Sequence, residues 1–220
     1  SEQQDDLERM KQTMRRSIMA SSFLVLPLMA GLAAVARPLV SLLLTDKWLP
    51  CVPFLQICCI DFAFYPIHTA NLQAINAMGR SDVFLKLELV KKSYGIAILC
   101  VTVFCFEGVL PIVWGAVVST VISSFVNAFP NKKLIHYGYW EQIRDILPPI
   151  GMSLVMFLAV SALGRLPLGN LPLLLVQVAA GVVLYGGMSL LFKPESFRCL
   201  VQMAAALRRK AARSKGGTEA

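Results

Sequence analysis

The sequence predicts an all-α, polytopic integral membrane protein with six transmembrane helices. Hydrophobic residues make up 56% of the 220-residue chain against 15% charged, and the mean hydropathy is +0.64. The 21 basic and 13 acidic side chains crowd into short stretches between long apolar runs instead of covering a surface. Six of those runs meet or approach the roughly 20 residues that cross a hydrocarbon core of about 30 Å. Soluble enzymes, DNA-binding modules and disordered regulators are excluded on these grounds.

Residues 1–16, SEQQDDLERMKQTMRR, read as a polar arm with no signal-peptide apolar core. That opening, with Ser1 in place of Met, leads to the expectation that the chain is part of a longer protein. The predicted spans are Ser17–Leu44, Leu49–Met78, Val83–Phe106, Val109–Pro130, Ile146–Leu163 and Leu171–Phe192, with residues 193–220 as a basic tail. The third is the poorest span. Lys86, Glu88, Lys91 and Lys92 occupy its first half, so its first turns are expected in the aqueous interface with the lysines snorkelling.

A cytoplasmic N-terminus puts eighteen of the 21 basic residues on one side: those of the arm, the Arg80–Lys92 region, Lys132, Lys133, Arg144 and the tail. Only Arg37, Lys47 and Arg165 fall on the other. This positive-inside bias predicts both termini in the cytoplasm and accounts for the net charge of +8 without a nucleic-acid partner. The opposite connections, around Thr45–Trp48, Glu107–Gly108 and Gly164–Asn170, are too short for an external catalytic domain. Trp48, Trp114, Tyr137, Tyr139 and Trp140 lie near span ends and read as interface anchors. The six cysteines form no C-x-x-C pair and read as small core hydrophobes, so no metal is implied.

The second span holds the polar residues of most interest, in CIDFAFYPIHTANLQAINAMGRSD. At about 100° per residue on one continuous helix, Asp61, Tyr65, His68, Asn71 and Asn76 share an arc of about 140°. A charge near the bilayer centre costs on the order of 3 kcal/mol, so Asp61 must be paired, protonated or facing water. The stripe either lines a substrate or ion pathway or forms an interhelical hydrogen-bonded lock. Pro66 lies inside it and invites a kink. Arg37, the only charge within the first span, suits an anion by its fixed charge and five donors, or outer headgroups by snorkelling. In the fourth span Gly115, Ser119, Ser123 and Asn127 recur every four residues, a close-packing signature. No H-E-x-x-H, G-x-x-x-x-G-K-S/T or G-x-S-x-G occurs, so neither enzymatic nor nucleotide-driven readings find support, and no cofactor is called for.

Three stretches, PLMAGLAAVARPLVSLLLTDKWLPCVPFLQI, HTANLQAINAMGRSDVFLKLELVKK and FVNAFPNKKLIHYGYWEQIRDILP, resemble the polysaccharide biosynthesis and export proteins. These are the bacterial oligosaccharide-lipid flippases of the multidrug/oligosaccharidyl-lipid/polysaccharide superfamily. The likeness runs from about Ser1 to about Phe192, with the Pro27–Gly31 region, the Trp48 turn and the Gly79–Arg80 turn at recurrent family positions. It implies two pseudo-symmetric helical lobes around a cavity, of which six spans supply most of the second. The implied partners are membrane lipids, a lipid-linked oligosaccharide, and the N-terminal lobe of the same protein or a second copy. The implied role is moving undecaprenyl-pyrophosphate-linked oligosaccharide across the bacterial inner membrane during lipopolysaccharide or other surface polysaccharide assembly. Arg37 then suits the pyrophosphate and Asp61, His68, Asn71 and Asn76 the sugar, with Asp61 or His68 open to a coupling proton or Na⁺. Ion-coupled drug export and a non-transporting membrane scaffold are the alternatives.

Overall fold

Seven α-helices account for most of the chain in the computed structural model, which describes residues 2–203 and 205. They are α1 (Glu2–Leu44), α2 (Val52–Ala63), α3 (Tyr65–Ala77), α4 (Ser81–Cys105), α5 (Leu110–Leu134), α6 (Tyr139–Leu163) and α7 (Asn170–Phe192). A 3-10 helix, Asp46–Cys51, leads into α2, and residues 195–203 are helical again. No strand occurs among the described residues. The protein is an all-α, multi-pass membrane protein. The basic stretch at 208–215 lies outside the described residues.

Among the described residues five helical stretches are long and apolar enough to cross a membrane: Gln4–Leu44, Asp46–Ala77, Leu110–Leu134, Tyr139–Leu163 and Asn170–Phe192. The predicted six thus reduce to five on length and composition, and α4 is the one that falls short. Its charge-free part, from Ser93 on, extends only about 20 Å at 1.5 Å per residue. Lys91 pairs with Glu88 on the helix surface, which softens but does not remove the polarity of that half. Even so, α4 runs antiparallel along α5: Thr102 meets Gly115, Gly95 meets Ser119, and Tyr94 bonds Ser123. The small-residue stripe of α5 is therefore a helix contact, tightest at Gly115, where a Cβ would sit 2.8 Å from the Thr102 methyl.

The predicted second span is two helices. The chain breaks at Phe64, where Pro66 at the start of α3 supplies no N–H to the turn before it. Phe64 itself keeps helical backbone angles, so the break is a single turn within one apolar stretch, Asp46–Ala77. The α6 helix starts seven residues before the predicted span, because its first two turns are polar and a search for apolar runs passes over them. Those turns still present one buried face, with Gln142, Ile146 and Pro149 facing inward.

The α1 helix is central: it packs most extensively on α6, then on α2, α7 and α3. The α5 helix carries α4 and also meets α2, α3 and α6, and α6 packs on α7. One apolar cluster, built by Met14 and Ile18 of α1, Ile67, Ala70 and Ala74 of α3, Ile135, Tyr137 and Ile146, closes one end. A second, Val35, Met156 and Val160 with Leu174 and Tyr185 packed against it, holds α1, α6 and α7 together. Elsewhere large apolar side chains such as Phe104, Val183 and Leu191 face outward, as a lipid-facing surface requires. Tyr137 is buried at 1% exposure, not placed at the surface as an anchor, whereas Trp48, Trp114 and Trp140 are exposed. Of the cysteines, Cys59 and Cys199 are buried, but Cys100 and Cys105 are exposed on α4, so the core reading does not hold for those two.

The ends of the elements sort by side. Arg15 of α1, Asp145 of α6 and Glu195 meet at one end, next to the close of α3 and of α5. At the other end Asn170 bonds Ser41, which bonds Asp46. The chain therefore alternates between two ends, and the end holding Arg15 is the more basic one.

Candidate functional site

Two polar clusters tie α3 to its neighbours, and the second leads to a charged basin at the basic end. The first lies on α3, one turn after the break. His68 Nε2 lies 3.0 Å from the Thr120 carbonyl and 3.1 Å from Ser124 Oγ, and its Nδ1 lies 3.1 Å from Asn127 Nδ2. A carbonyl can only accept and an amide nitrogen only donate, so this pairing describes the neutral imidazole with its proton on Nε2. Both ring nitrogens are engaged by α5.

One turn on, Asn71 is wholly buried and saturated. Its Nδ2 donates to Gln142 Oε1 and to the Ile67 carbonyl, each at 2.7 Å. Its Oδ1 accepts from Asn131 Nδ2 at 2.7 Å and from Gln142 Nε2 at 3.0 Å. Asn131 and Gln142 are also fully buried, so three helices are tied at one point by amides alone. Gln142 Nε2 leans at 3.4 Å toward the Tyr137 carbonyl. The Tyr137 hydroxyl then donates to Asp145 Oδ2 at 2.7 Å. Burial first, and the carboxylate second, push the Tyr137 phenol above its ordinary range, so it stays a donor.

Asp145 carries the network to the surface. Its two oxygens accept from Arg15 Nε and Nη2, each at 2.8 Å, the bidentate geometry that holds a guanidinium in a fixed plane. Arg15 Nη2 also donates to Glu195 at 3.0 Å, drawing in the segment after α7. Around this pair lies an open basin of about 790 Å³, lined by α1, the start of α6 and residues 195–196. Lys11 pairs with Glu141 at 3.6 Å. Arg16 and Arg144 line the basin, are exposed, and form no ion pair among the described residues. Ser196 lines it too, with a buried hydroxyl that has no partner.

The residues singled out from sequence do not share one cavity. His68 and Asn71 sit in the interhelical lock. Tyr65 and Asn76 are exposed, and Asn76 lies beyond the buried face of α3. Asp61, on the far side of the break, is half-buried, and its Oδ1 is buried without a donor. Arg37 is exposed near the opposite end from the basin. The basin and its supports, Arg15, Tyr137, Gln142 and Asp145, escaped the sequence reading. The readable signal was the four-residue spacing of Asn127 and Asn131 on α5, opposite His68 and Asn71 at a similar interval. Among the described residues no group of three His, Cys, Asp or Glu side chains is placed to hold a metal ion.

Residues 1–53, the whole of α1 and the turn after it, match the family described as "Polysaccharide biosynthesis protein". This segment is similar to the polysaccharide biosynthesis proteins. Over 160 residues, 70% of this chain, the sequence is 27% identical to a Klebsiella pneumoniae protein described as an "Uncharacterized membrane protein in cps region". The chain spans about a third of that relative's length, the match covering 32% of it. No solved structure matches the chain. Both findings point toward polysaccharide biosynthesis.

Proposed function

We propose that this protein takes part in moving a lipid-linked oligosaccharide, its sugar joined to the lipid through a pyrophosphate, from the cytoplasmic to the outer leaflet of the bacterial inner membrane. On this reading both termini and the charged basin are cytoplasmic, and the role is transport, not catalysis. The observation that carries the proposal is the basin at the end of an apolar bundle, with the unpaired Arg16 and Arg144 beside a fixed Arg15. Guanidinium groups suit phosphate oxygens, and the surrounding carboxylates and Gln12 suit sugar hydroxyls. The family similarity and the relative from a cps region support the substrate class.

The remaining contacts belong to the same proposal. Asp61, with an unpartnered buried oxygen, is the residue assigned to coupling, since His68 has both nitrogens committed to α5. Tyr65, Asn76 and the outer Arg37 are assigned to substrate. The partner on this reading is another lobe of the same protein or a second copy. Deleting the gene in its own host tests the proposal. Surface polysaccharide should fall while lipid-linked oligosaccharide accumulates on the cytoplasmic leaflet, and an Arg16→Ala, Arg144→Ala double variant should restore less than the wild type. Unchanged surface polysaccharide after deletion would overturn it.

A further inference from the structure

The turn between α5 and α6 has two faces, and only the inner one serves the network just described. On the outer face lies a groove of about 480 Å³ lined by Phe125, Phe129 and Trp140, with Lys132, His136 and Glu141 at its rim. Its walls are aromatic and mutually packed: the Phe125 and Tyr139 rings are 3.8 Å apart between centroids, and Trp140 stands edge-on to both at 6.5 and 6.1 Å. Lys133 extends over Phe129, 5.4 Å from the ring centroid. Phe129 and Trp140 are exposed at 64% and 76%, so the groove opens outward from the bundle and not into it.

We infer that this groove is a binding site for an anionic phospholipid of the surrounding bilayer. An acyl chain lies along Phe125, Phe129 and Trp140, and the phosphate is held at the rim by Lys132, Lys133 and His136. Three features select that occupant. The groove is apolar in its depth and basic at its rim, the same order of polarity as a lipid read from chain to headgroup. Its one acidic rim residue, Glu141, is already paired with Lys11, so the rim's unpaired charge is positive. It also sits where α5 ends and α6 begins, at the level where aromatic rings and lysines meet headgroups. Its wall is the segment whose inner face carries Asn131, Tyr137 and Gln142, so a lipid seated there braces the helix tie from outside. The inference is independent of the transport proposal.

The test uses Trp140 as reporter in a Trp48→Phe, Trp114→Phe background, reconstituted in phosphatidylcholine vesicles containing a fixed fraction of brominated lipid. Brominated phosphatidylglycerol should quench Trp140 more than brominated phosphatidylcholine does at the same mole fraction, corresponding to a several-fold higher occupancy. Because a lysine near an anionic headgroup contributes about five-fold in affinity, Lys132→Gln with Lys133→Gln should erase most of that preference. Equal quenching by the two lipids, or a preference untouched by the double substitution, would overturn the site. Loss of the preference on adding millimolar inorganic pyrophosphate at matched ionic strength would assign the rim to a free phosphate compound, and so overturn the lipid assignment. Circular dichroism of the variant confirms that the helices persist.

Discussion

Replacing Asn71 by Leu is the sharpest way to separate a helix lock from a polar pathway on α3. The side chain makes four hydrogen bonds, three of them to Asn131 and Gln142 on other helices. Interhelical hydrogen bonds in membrane proteins average about 0.6 kcal/mol, which gives about 2 kcal/mol for the three. The substitution does not strand every partner. Asn131 Nδ2 keeps the Asn71 carbonyl at 3.1 Å and Gln142 Nε2 keeps the Tyr137 carbonyl at 3.4 Å. Only Gln142 Oε1 is left in an apolar setting without a donor, adding about 1 kcal/mol. Unfolding of purified protein in mixed micelles, titrated with a denaturing detergent, should therefore show a loss of about 2–3 kcal/mol. Adding Gln142→Leu should cost less than the sum of the two single changes, by about 1–2 kcal/mol, since the orphaned acceptor is removed with its former partner. A single variant within about 0.5 kcal/mol of wild type, or strict additivity in the pair, would refute the lock.

Other predictions follow from the same geometry. The fold raises the Tyr137 phenol above its ordinary range, so it favours the protonated form, and the stabilisation is complete below pH about 10 and lost as pH rises further. Wild type should lose stability more steeply than Tyr137→Phe in that alkaline window, and parallel curves would contradict the Asp145 contact. Asp61→Asn should leave membrane abundance unchanged while lowering surface polysaccharide in a complementation assay; reduced abundance instead would assign Asp61 to folding. Gly115→Ala forces a Cβ to within 2.8 Å of the Thr102 methyl and should cost about 1–3 kcal/mol in the same micelle titration. Thr102→Ser should recover much of it, and no recovery would place the strain elsewhere. For topology, Ser81→Cys should resist an impermeant thiol reagent in intact spheroplasts of a cysteine-free variant while Asn170→Cys is labelled, and the reverse pattern would invert the orientation.

Hydropathy made the helical rods legible and charge made their alternation legible, because both are sums over many residues. Single polar residues were harder to place. The wheel placed Asp61, Tyr65, His68, Asn71 and Asn76 on one arc, but burial divides that arc, with Asn71 buried and Tyr65 and Asn76 exposed. Tyr137 read as an anchor because an aromatic ring near a span end normally meets headgroups, yet the turn tucks it beneath Met14 and Ile146. Arg15 and Asp145 were invisible as a pair, since 130 residues separate them and nothing local marks one as the partner of the other. The close-packing stripe on α5 was readable because small residues at helical spacing are a local property, whereas the fourth member, Asn127, turned out to face His68 and not α4.

The length of α1 gives the bundle a mechanical property. Its 43 residues span about 65 Å, roughly twice the thickness of a hydrocarbon core. Asp145 clasps it at Arg15, its other half is held by Gln56, which donates to the Ala33 carbonyl at 3.0 Å, and its last turn by Ser41 in the outer hydrogen-bond cluster. A tilt of about 10° around its midpoint near Phe23 carries Arg15 about 2 Å and Ser41 about 5 Å in opposite directions. At Ser41 that exceeds the length of the 2.7 Å hydrogen bond from Asn170. The basin at one end of the bundle and the Ser41–Asn170 clasp at the other are thus joined by one helix, and a tilt that parts the outer clasp also shifts the guanidinium beside the basin.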